Sequence, residues 1–418
     1  MRIPPVPTSK KRILWLHTQP EFYHNLMLDD LARGTGYRLP GMPDEHPDEF
    51  DWIAGFAHRG PGLYSQNPLP LAAQTLFLRV LPGKEHRPPT FRERYHVDWR
   101  EDLRSLGNAP LGPDAIIVSG YAQRTFRQLI AACRATGTPV ALWSDSNLRA
   151  DRGRTLRIRL KRCLKRRFLR NVTASVDCHL TANTRGIAYW RYYGGPGARA
   201  RVFVSAYYAA YERIDEAARL PRSDVLTRIG LRAEDHFVYS AARLVAAKGL
   251  DLMIRAFRSG QFARRGWKYV IAGTGPLEPD LRALAGADDG TSVLFVGFQQ
   301  PSDNLALMAH AGLLALPSRY EPHGIVVGEA LSAGTPVLAS NVVGSACGLV
   351  RAGESGALFQ NENVADLQRQ LALLEDPGAL ARLRPGARRA FESWYRRTSP
   401  LLIAPRVARR LLGGGADA

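Results

Sequence analysis

Two glutamates, Glu321 and Glu329, bracket the run E-P-H-G-I-V-V-G-E, with a Gly-containing turn and the opening of a helix between them. The backbone N–H groups at 324–327 lie at a helix start, where unpaired amides and the helix dipole favour an anion. Glu329 falls on an early turn, and helical side chains tilt toward the N-terminus, so both carboxylates can serve one ligand. Carboxylates accept hydroxyl hydrogen bonds, so the pattern suits a sugar or ribose held beside its phosphates. Upstream, A-A-R-L-V-A-A-K-G-L-D places Arg243 and Lys248 just after the apolar run FVYSAA. A planar guanidinium fork and a compact ammonium at the carboxyl end of a parallel strand can neutralise a diphosphate. Gly273-Thr-Gly275-Pro follows KYVIA. Its glycines admit either a closely approaching ligand or a plain tight turn. No Asp-x-Asp pair follows any assignable strand, so no metal site is expected, and the two cations with the helix start would take a metal's place.

These groups need a scaffold that delivers strand ends to one place. In the C-terminal half, apolar runs at 237–242, 268–273, 293–297, 313–317 and 336–340 alternate with helical segments near 249–258, 278–285, 302–311, 324–333 and 363–375. Short buried strands separated by helices of about ten residues are the pattern of repeated βαβ units and a parallel sheet. Such sheets bind ligands outside the carboxyl ends of their strands. The N-terminal half alternates in the same way, with strands expected at 12–17, 114–119, 139–144, 178–183 and 201–204 and helices near 22–33, 123–136 and 185–193. Residues 40–110, rich in Pro, Gly and His, carry no assignment beyond one or two strands, for example near 76–80. Three segments are expected: 1–205, 206–387, and a helical 388–418 that packs back toward the first. Pro400 and Pro405 are expected to break the last segment, and GGGADA to be a disordered tail.

The 418 residues suffice for two cores, and 45% hydrophobic with 23% charged residues is the composition of an ordinary globular protein. No apolar run reaches the length of a spanning helix, and the start MRIPPVPTSKKRILWLH offers no signal-peptide core, so a cytoplasmic protein is expected. Cys133, Cys163, Cys178 and Cys347 form no C-x-x-C pair, which argues against structural zinc or a disulfide framework. The net charge is +19, and eleven basic residues against Asp151 between Arg149 and Arg170 concentrate the excess there. That stretch also spaces Leu156, Leu160, Leu164 and Phe168 at i, i+4. One reading is a crossover helix that packs its apolar stripe on the sheet and turns its cations to water. The other is a face over 154–170 that docks on an anionic membrane surface, placing the protein peripherally on the inner face of a membrane.

The ordered set R-x4-K-G, A-G-T-G-P, V-G-F and E-P-x-G-x4-E-A-L-x-A-G-x-P-V resembles the retaining family 4 (group 1) glycosyltransferases. The likeness covers roughly 235–375, with a weaker echo over 114–204 in SGY, LWSDSN and TANTRGIAYWRYYG. The resemblance implies an α/β fold of GT-B architecture, with two Rossmann-like domains facing a cleft. It also implies a nucleotide-diphosphate sugar as co-substrate and no cofactor. Carried over, Arg243 and Lys248 would hold the donor diphosphate and Glu321 the donor sugar hydroxyls. His323, Gly324 and Ile325 would present amides, Glu329 would bind the ribose, and Phe298 would lie beside the base, with Gly273 and Gly275 in the donor loop. Transfer would retain the anomeric configuration, a leaving phosphate oxygen helping to take the acceptor proton. The acceptor would be a saccharide or a lipid-linked sugar in cell-surface polysaccharide or glycolipid synthesis.

This chain departs from the family at three places. Ser119, Gly120 and Tyr121 stand where many members carry a His; the first loop HTQPEFYHN lacks a Gly-Gly pair; and Tyr-Tyr-Ala-Ala (207–210) replaces a common Val-Asp. His17, Tyr23, His24, Ser119 and Tyr121 are therefore the acceptor-side candidates, although His and Tyr at such places more often pack or face solvent. A catalytically silent GT-B protein that keeps a nucleotide or polysaccharide site is the alternative function. Nucleic-acid binding through the basic stretch ranks last, because no zinc-finger spacing or RNP-like aromatic motif accompanies the cations.

Overall fold

The computed structural model describes residues 10–17, 22–36, 38–46, 49–56, 73–80, 96, 98–151, 155–195, 201–209, 211–286, 292–375 and 377–413. The chain divides into two compact units, Met1–Ala209 with Arg397–Ala418, and Ala210–Arg396. Each is built on one all-parallel sheet.

In the first unit, β1 (Lys11–His17), β2 (Phe50–Phe56), β3 (Gln74–Phe77), β4 (Ala115–Ser119), β5 (Val140–Ser144), β6 (Cys178–Thr181) and β7 (Val202–Val204) lie in the order β3-β2-β1-β4-β5-β6-β7. Successive residues of β1 point to opposite faces, and both faces are covered. Ile13 and Trp15 join a core with Ile117, Ala141 and Leu28, while Leu14 and Leu16 join another with Ile53, Ile116, Val118 and Leu129. Burial on both faces is why these strands read as unbroken apolar runs. Strand β2, FDWIAGF, was not among the expected elements, although five of its residues in a row are buried. Strand β3 ends at Phe77, slightly upstream of the expected 76–80.

The C-terminal helix Pro400–Leu411 packs Leu401, Ile403, Ala404, Val407 and Leu411 into the Ile13–Trp15 core. Pro400 does break the segment, since one helix ends at Thr398 and another opens at Pro400 after Ser399, whereas Pro405 lies inside the second helix without breaking it. Pro400 sits in the first turn, where its missing N–H is no loss. Pro405 removes one helical hydrogen bond, costing about 3 kcal/mol, but each large buried side chain returns about 1.5–3 kcal/mol. The glycine tail beyond Gly413 lies outside the described residues.

In the second unit, β8 (Phe237–Ala241), β9 (Lys268–Ala272), β10 (Val293–Gly297), β11 (Leu313–Leu316), β12 (Val337–Ser340) and β13 (Gly356–Phe359) lie in the order β10-β9-β8-β11-β12-β13. The chain runs outward from β8 through β9 and β10, then returns to lay β11 on the other side of β8. The point where the winding reverses is the crevice between β8 and β11, where sheets of this kind receive ligands. The same reversal falls between β1 and β4 in the first unit. The edge strand β13 was not expected; GALF opens on a glycine directly after the turn-like run RAGES.

The basic helix Leu156–Thr173 overturns the packed-stripe reading. Leu156, Leu160 and Leu164 are 81%, 60% and 63% exposed. Leu169 and Val172 are buried, with Ile158, Arg162 and Lys165 partly buried on the same side. Phe168, the fourth member of the expected stripe, is the exception and packs partly against the core. Lys165 Nζ lies 5.1 Å from the ring centres of both Tyr189 and Tyr193 on the neighbouring helix Thr184–Gly194. No helix among the described residues is long and apolar enough to cross a membrane.

Candidate functional site

Two segments leave the crevice of the second unit, one after β8 and one after β11. The first is templated by the G-T-G-P turn. Leu244 N donates to Thr274 O at 2.9 Å, and Leu277 N donates to Leu244 O at 3.1 Å. A Cβ on Gly273 would collide with the Ala242 carbonyl and one on Gly275 with the Leu244 backbone. Backbone against backbone thus accounts for both glycines, which seat the loop that carries Arg243 and Lys248.

That loop ends in a 3-10 turn, Ala246–Lys248, and Gly249 follows it with φ 63°. A Cβ at Gly249 would strike the Pro317 carbonyl oxygen at the end of β11. Gly353 has a similar φ of 75° but open space around it. Gly353→Ala should therefore cost about 1 kcal/mol, the price of a strained φ, and Gly249→Ala at least about 2 kcal/mol. Denaturant unfolding of the two variants separates the collision from the strain, and equal losses would show that the close approach to Pro317 does not matter.

Arg319 clasps the two segments. Its N–H donates to Ala247 O at 2.8 Å, its guanidinium reaches Ala246 O at 3.1 Å, and it forks onto Asp251 at 2.7 and 2.8 Å. The Arg319 fork holds the Asp251 carboxyl below its ordinary value despite partial burial. With both segments fixed, Lys248 Nζ meets Glu321 Oε2 at 2.5 Å, the side chains being 21% and 13% exposed. The structure thus joins two of the candidate residues directly.

Beyond Glu321 the chain turns through His323 and Gly324. Ser345, buried, sits beneath the turn: its Oγ lies 2.7 Å from His323 O and 2.9 Å from Gly324 O, and its N–H donates to His323 O at 2.9 Å. Gly324, at φ 90°, leads into the helix Ile325–Ser332. Val327 N bonds back to Gly324 O at 3.2 Å, while the amides of Gly324 and Ile325 donate to no backbone carbonyl among the described residues. Such first-turn amides are the donors that a bound anion would satisfy. Burial drives the His323 imidazole down to about 3, so the ring is neutral beside this turn.

Glu329 is only 1% exposed. Burial and, second, the nearby Glu329 charge push the Tyr239 phenol up, and its OH donates to Asn304 Oδ1 at 2.7 Å. Arg243 is exposed, and its side chain makes no ion pair among the described residues. Phe298, 49% exposed, follows β10.

In the first unit, His17 and Ser119 end the adjacent strands β1 and β4. His17 is buried and stacks on Trp15 at 5.6 Å. Ser119 Oγ accepts from Trp15 Nε1 at 3.0 Å. The Tyr121 and Tyr189 hydroxyls meet at 2.6 Å. The side chains of Tyr23 and His24 lie outside the described residues. Sequence reasoning missed Arg319, Asp251 and Ser345. The first two carried a signal, a cation two residues before Glu321 and a carboxylate three after Lys248; a lone Ser in NVVGSACG did not.

Comparison with known proteins bears directly on this crevice. Residues 225–390 match the family model described as Glycosyl transferases group 1. The chain is 32% identical over 193 residues to the alpha-D-kanosaminyltransferase of Streptomyces kanamyceticus, covering 45% of this chain and 48% of that protein. It is 35% identical over 207 residues to the D-inositol 3-phosphate glycosyltransferase of Acidothermus cellulolyticus, covering 47% of this chain and 44% of that one. The matches thus span about half the length of these curated relatives. The structure of Anabaena HepE in complex with UDP and glucose aligns with 96% of this chain and 100% of its own, at TM-score 0.63 and 19% identity. That likeness shows the fold, two Rossmann-like α/β units of GT-B architecture.

Proposed function

We propose that this protein is a metal-independent retaining glycosyltransferase that moves a hexosyl group from a nucleotide-diphosphate sugar to a saccharide or lipid-linked acceptor. Cell-surface polysaccharide or glycolipid synthesis is the setting the reading favours, with the protein peripheral to a membrane. The observation that carries the proposal is the meeting of Lys248 and Glu321 at the reversal between β8 and β11, beside open amides at Gly324 and Ile325. Group 1 glycosyl transferase likeness over this unit, and UDP with glucose in a protein of the same fold, support the donor class.

In this reading the bond from the anomeric carbon to the diphosphate oxygen breaks while the bond to the acceptor oxygen forms on the same face. The acceptor proton passes to the departing phosphate oxygen. Lys248, Arg243 and the helix-start amides stabilise the charge that grows on the diphosphate. Glu321 holds sugar hydroxyls, Glu329 the ribose, and Phe298 lies beside the base. His17, Tyr23, His24, Ser119 and Tyr121 stand on the acceptor side. Residues 1–205 would bind the acceptor and 206–387 the donor.

Melting the protein with UDP-, GDP- and ADP-sugars tests the donor. Saturation near 100 times Kd should stabilise by about 2.7 kcal/mol, a rise of about 5–10 °C for a unit of this size. Hydrolysis of the same sugar nucleotide should persist in EDTA. No shift with any of them, together with no hydrolysis, would remove the proposal; loss of hydrolysis on chelation would remove its metal-free mechanism; a shift without hydrolysis would leave a silent binding protein.

A further inference from the structure

We infer that the first three turns of the Leu156–Thr173 helix form a membrane-docking face, inserted through Leu156, Leu160 and Leu164 into an anionic bilayer. The inference rests on the proposed function only for its purpose, delivery to a lipid-linked acceptor; its geometry stands alone. Monomeric surfaces seldom expose a row of large apolar side chains without a partner. Here three of the exposed leucines stand on consecutive turns of one helix. The side held against the protein carries Ile158, Arg162, Lys165, Leu169 and Val172. At 100° per residue this places the Leu156–Leu160–Leu164 stripe on the opposite side of the helix, facing outward.

The helix is built to hold that stripe. Thr155 Oγ1 accepts from Ile158 N and caps the first turn, while Leu169 and Val172 anchor the far end in the core. Docking needs no unfolding. Charge selects the occupant. Arg157, Arg159, Lys161, Arg166 and Arg167 are exposed around the stripe, and the stretch Arg149–Arg170 holds eleven basic residues against one acid. Two copies of such a face would repel each other, whereas a leaflet of anionic lipid supplies both an apolar interior and the opposite charge. A helix with leucines on one side and cations along its flanks lies in the plane of the interface with its stems snorkelling toward headgroups.

Cys163 lies beside the leucine stripe and is exposed, as is Cys347; Cys133 and Cys178 are buried, with thiols that burial pushes up to about 12. In a Cys347→Ser background, an environment-sensitive fluorophore on Cys163 therefore reports on the stripe. Its emission should be that of a water-exposed probe in solution and shift to the blue with vesicles containing about one-third phosphatidylglycerol. Phosphatidylcholine vesicles should leave it unchanged. In sedimentation of the unlabelled protein, Leu156→Ser/Leu160→Ser/Leu164→Ser should lower partitioning onto the anionic vesicles by about 30-fold or more. Each Arg→Gln or Lys→Gln change at 157, 159 or 161 should lower it about fivefold.

An apolar probe signal without vesicles would mean that the chain itself covers the stripe. A dimer dissolved by the triple leucine change would mean self-association. Either result overturns the inference, as does equal binding of the triple variant. Sugar-nucleotide hydrolysis in vesicle-free buffer is the separating control. If it proceeds while vesicle binding fails, the docking face alone is wrong; if vesicles bind while no sugar nucleotide does, the proposed function alone is wrong.

Discussion

Lys248→Met and Glu321→Gln should each slow sugar transfer by about 10²–10³-fold, the usual cost of removing one preorganised group that meets charge developing in a transition state. The two side chains meet at 2.5 Å with little exposure, so they form one electrostatic unit. In the proposed reaction, loss of Lys248 would remove a cation from the departing diphosphate, and it leaves Glu321 with an unmatched charge. Loss of the Glu321 charge leaves Lys248 free to sit elsewhere in the crevice, and its grip on the donor loses direction. Because each change disables the same unit, the double variant should be little slower than either single one, and the cycle should show a large coupling term. The pair is not fully buried, so its loss should cost the fold only about 1 kcal/mol after allowance for solvent screening. Activity and stability therefore separate. Turnover numbers from donor hydrolysis and melting curves on the same preparations would show it. Strictly additive rate losses would mean that Lys248 and Glu321 act on different parts of the reaction, and parental rates in both variants would take the catalytic assignment away.

The parts of the second unit that were legible in the sequence share one physical cause. Strands β8, β9, β11 and β12 are buried on both sides, and the partly buried edge strand β10 is equally apolar, so each is a continuous apolar run, and Gly or Pro marks most of the exits. Strand β13 is no shorter than β11 or β12, but GALF opens on a glycine directly after the turn-like run RAGES, so it reads as part of a loop. Strand β2 is the opposite case: FDWIAGF is apolar and long enough, but its flanks, rich in Pro, His and Gly, read as loop. The Leu156 helix shows what periodicity leaves undecided. The i, i+4 leucines and the series Ile158, Arg162, Lys165, Leu169, Val172 are both valid helical stripes. Which one faces the protein depends on Tyr189 and Tyr193, which accept the Lys165 ammonium over their rings. A cation on the inner face is invisible to a hydrophobic pattern.

At the site, residue types pointed to Lys248 and Glu321, yet their meeting depends on β11 lying next to β8, a strand order no local pattern encodes. The clasp of Arg319 on Asp251 and the Ser345 seat under Gly324 depend on that same order. Gly273 and Gly275 went the other way. Ligand and turn readings were level for them, and the backbone of 242–244 decides for packing.

Acid should destabilise both units in part through buried histidines, of which His179 and His323 are held neutral most firmly. His179, in β6, is fully buried and stacks on Trp190 at 4.0 Å, and neither ring nitrogen has a hydrogen-bond partner among the described residues. Burial, then the Arg201 charge, drives it down to about 3. His323 is driven down to about 3 by burial in the second unit. An unfolded histidine titrates near 6.5, so between pH 6.5 and 3 the unfolded chain binds more protons than the folded one. Stability from each neutral ring is thus fully present above pH 6.5 and is lost progressively as pH falls toward 3, reaching about 2 kcal/mol per histidine at pH 5. For units of this size the melting point of each should fall by about 4–8 °C between pH 7 and pH 5. Carboxylates held low by arginines, such as Asp251 and Glu45, lose their contribution only in a more acidic window. The net charge of +19 adds a general repulsion that also grows in acid, so the decisive comparison is with His179→Phe at fixed ionic strength. Phe keeps the stack on Trp190 and has no nitrogen to protonate, so the first unit should lose the His179 share of its pH response, about 2 kcal/mol at pH 5, while the second keeps its own. Calorimetry of parent and variant across this pH range is the measurement, and a His179→Phe protein that falls in step with its parent would show that His179 is not the group the acid reaches.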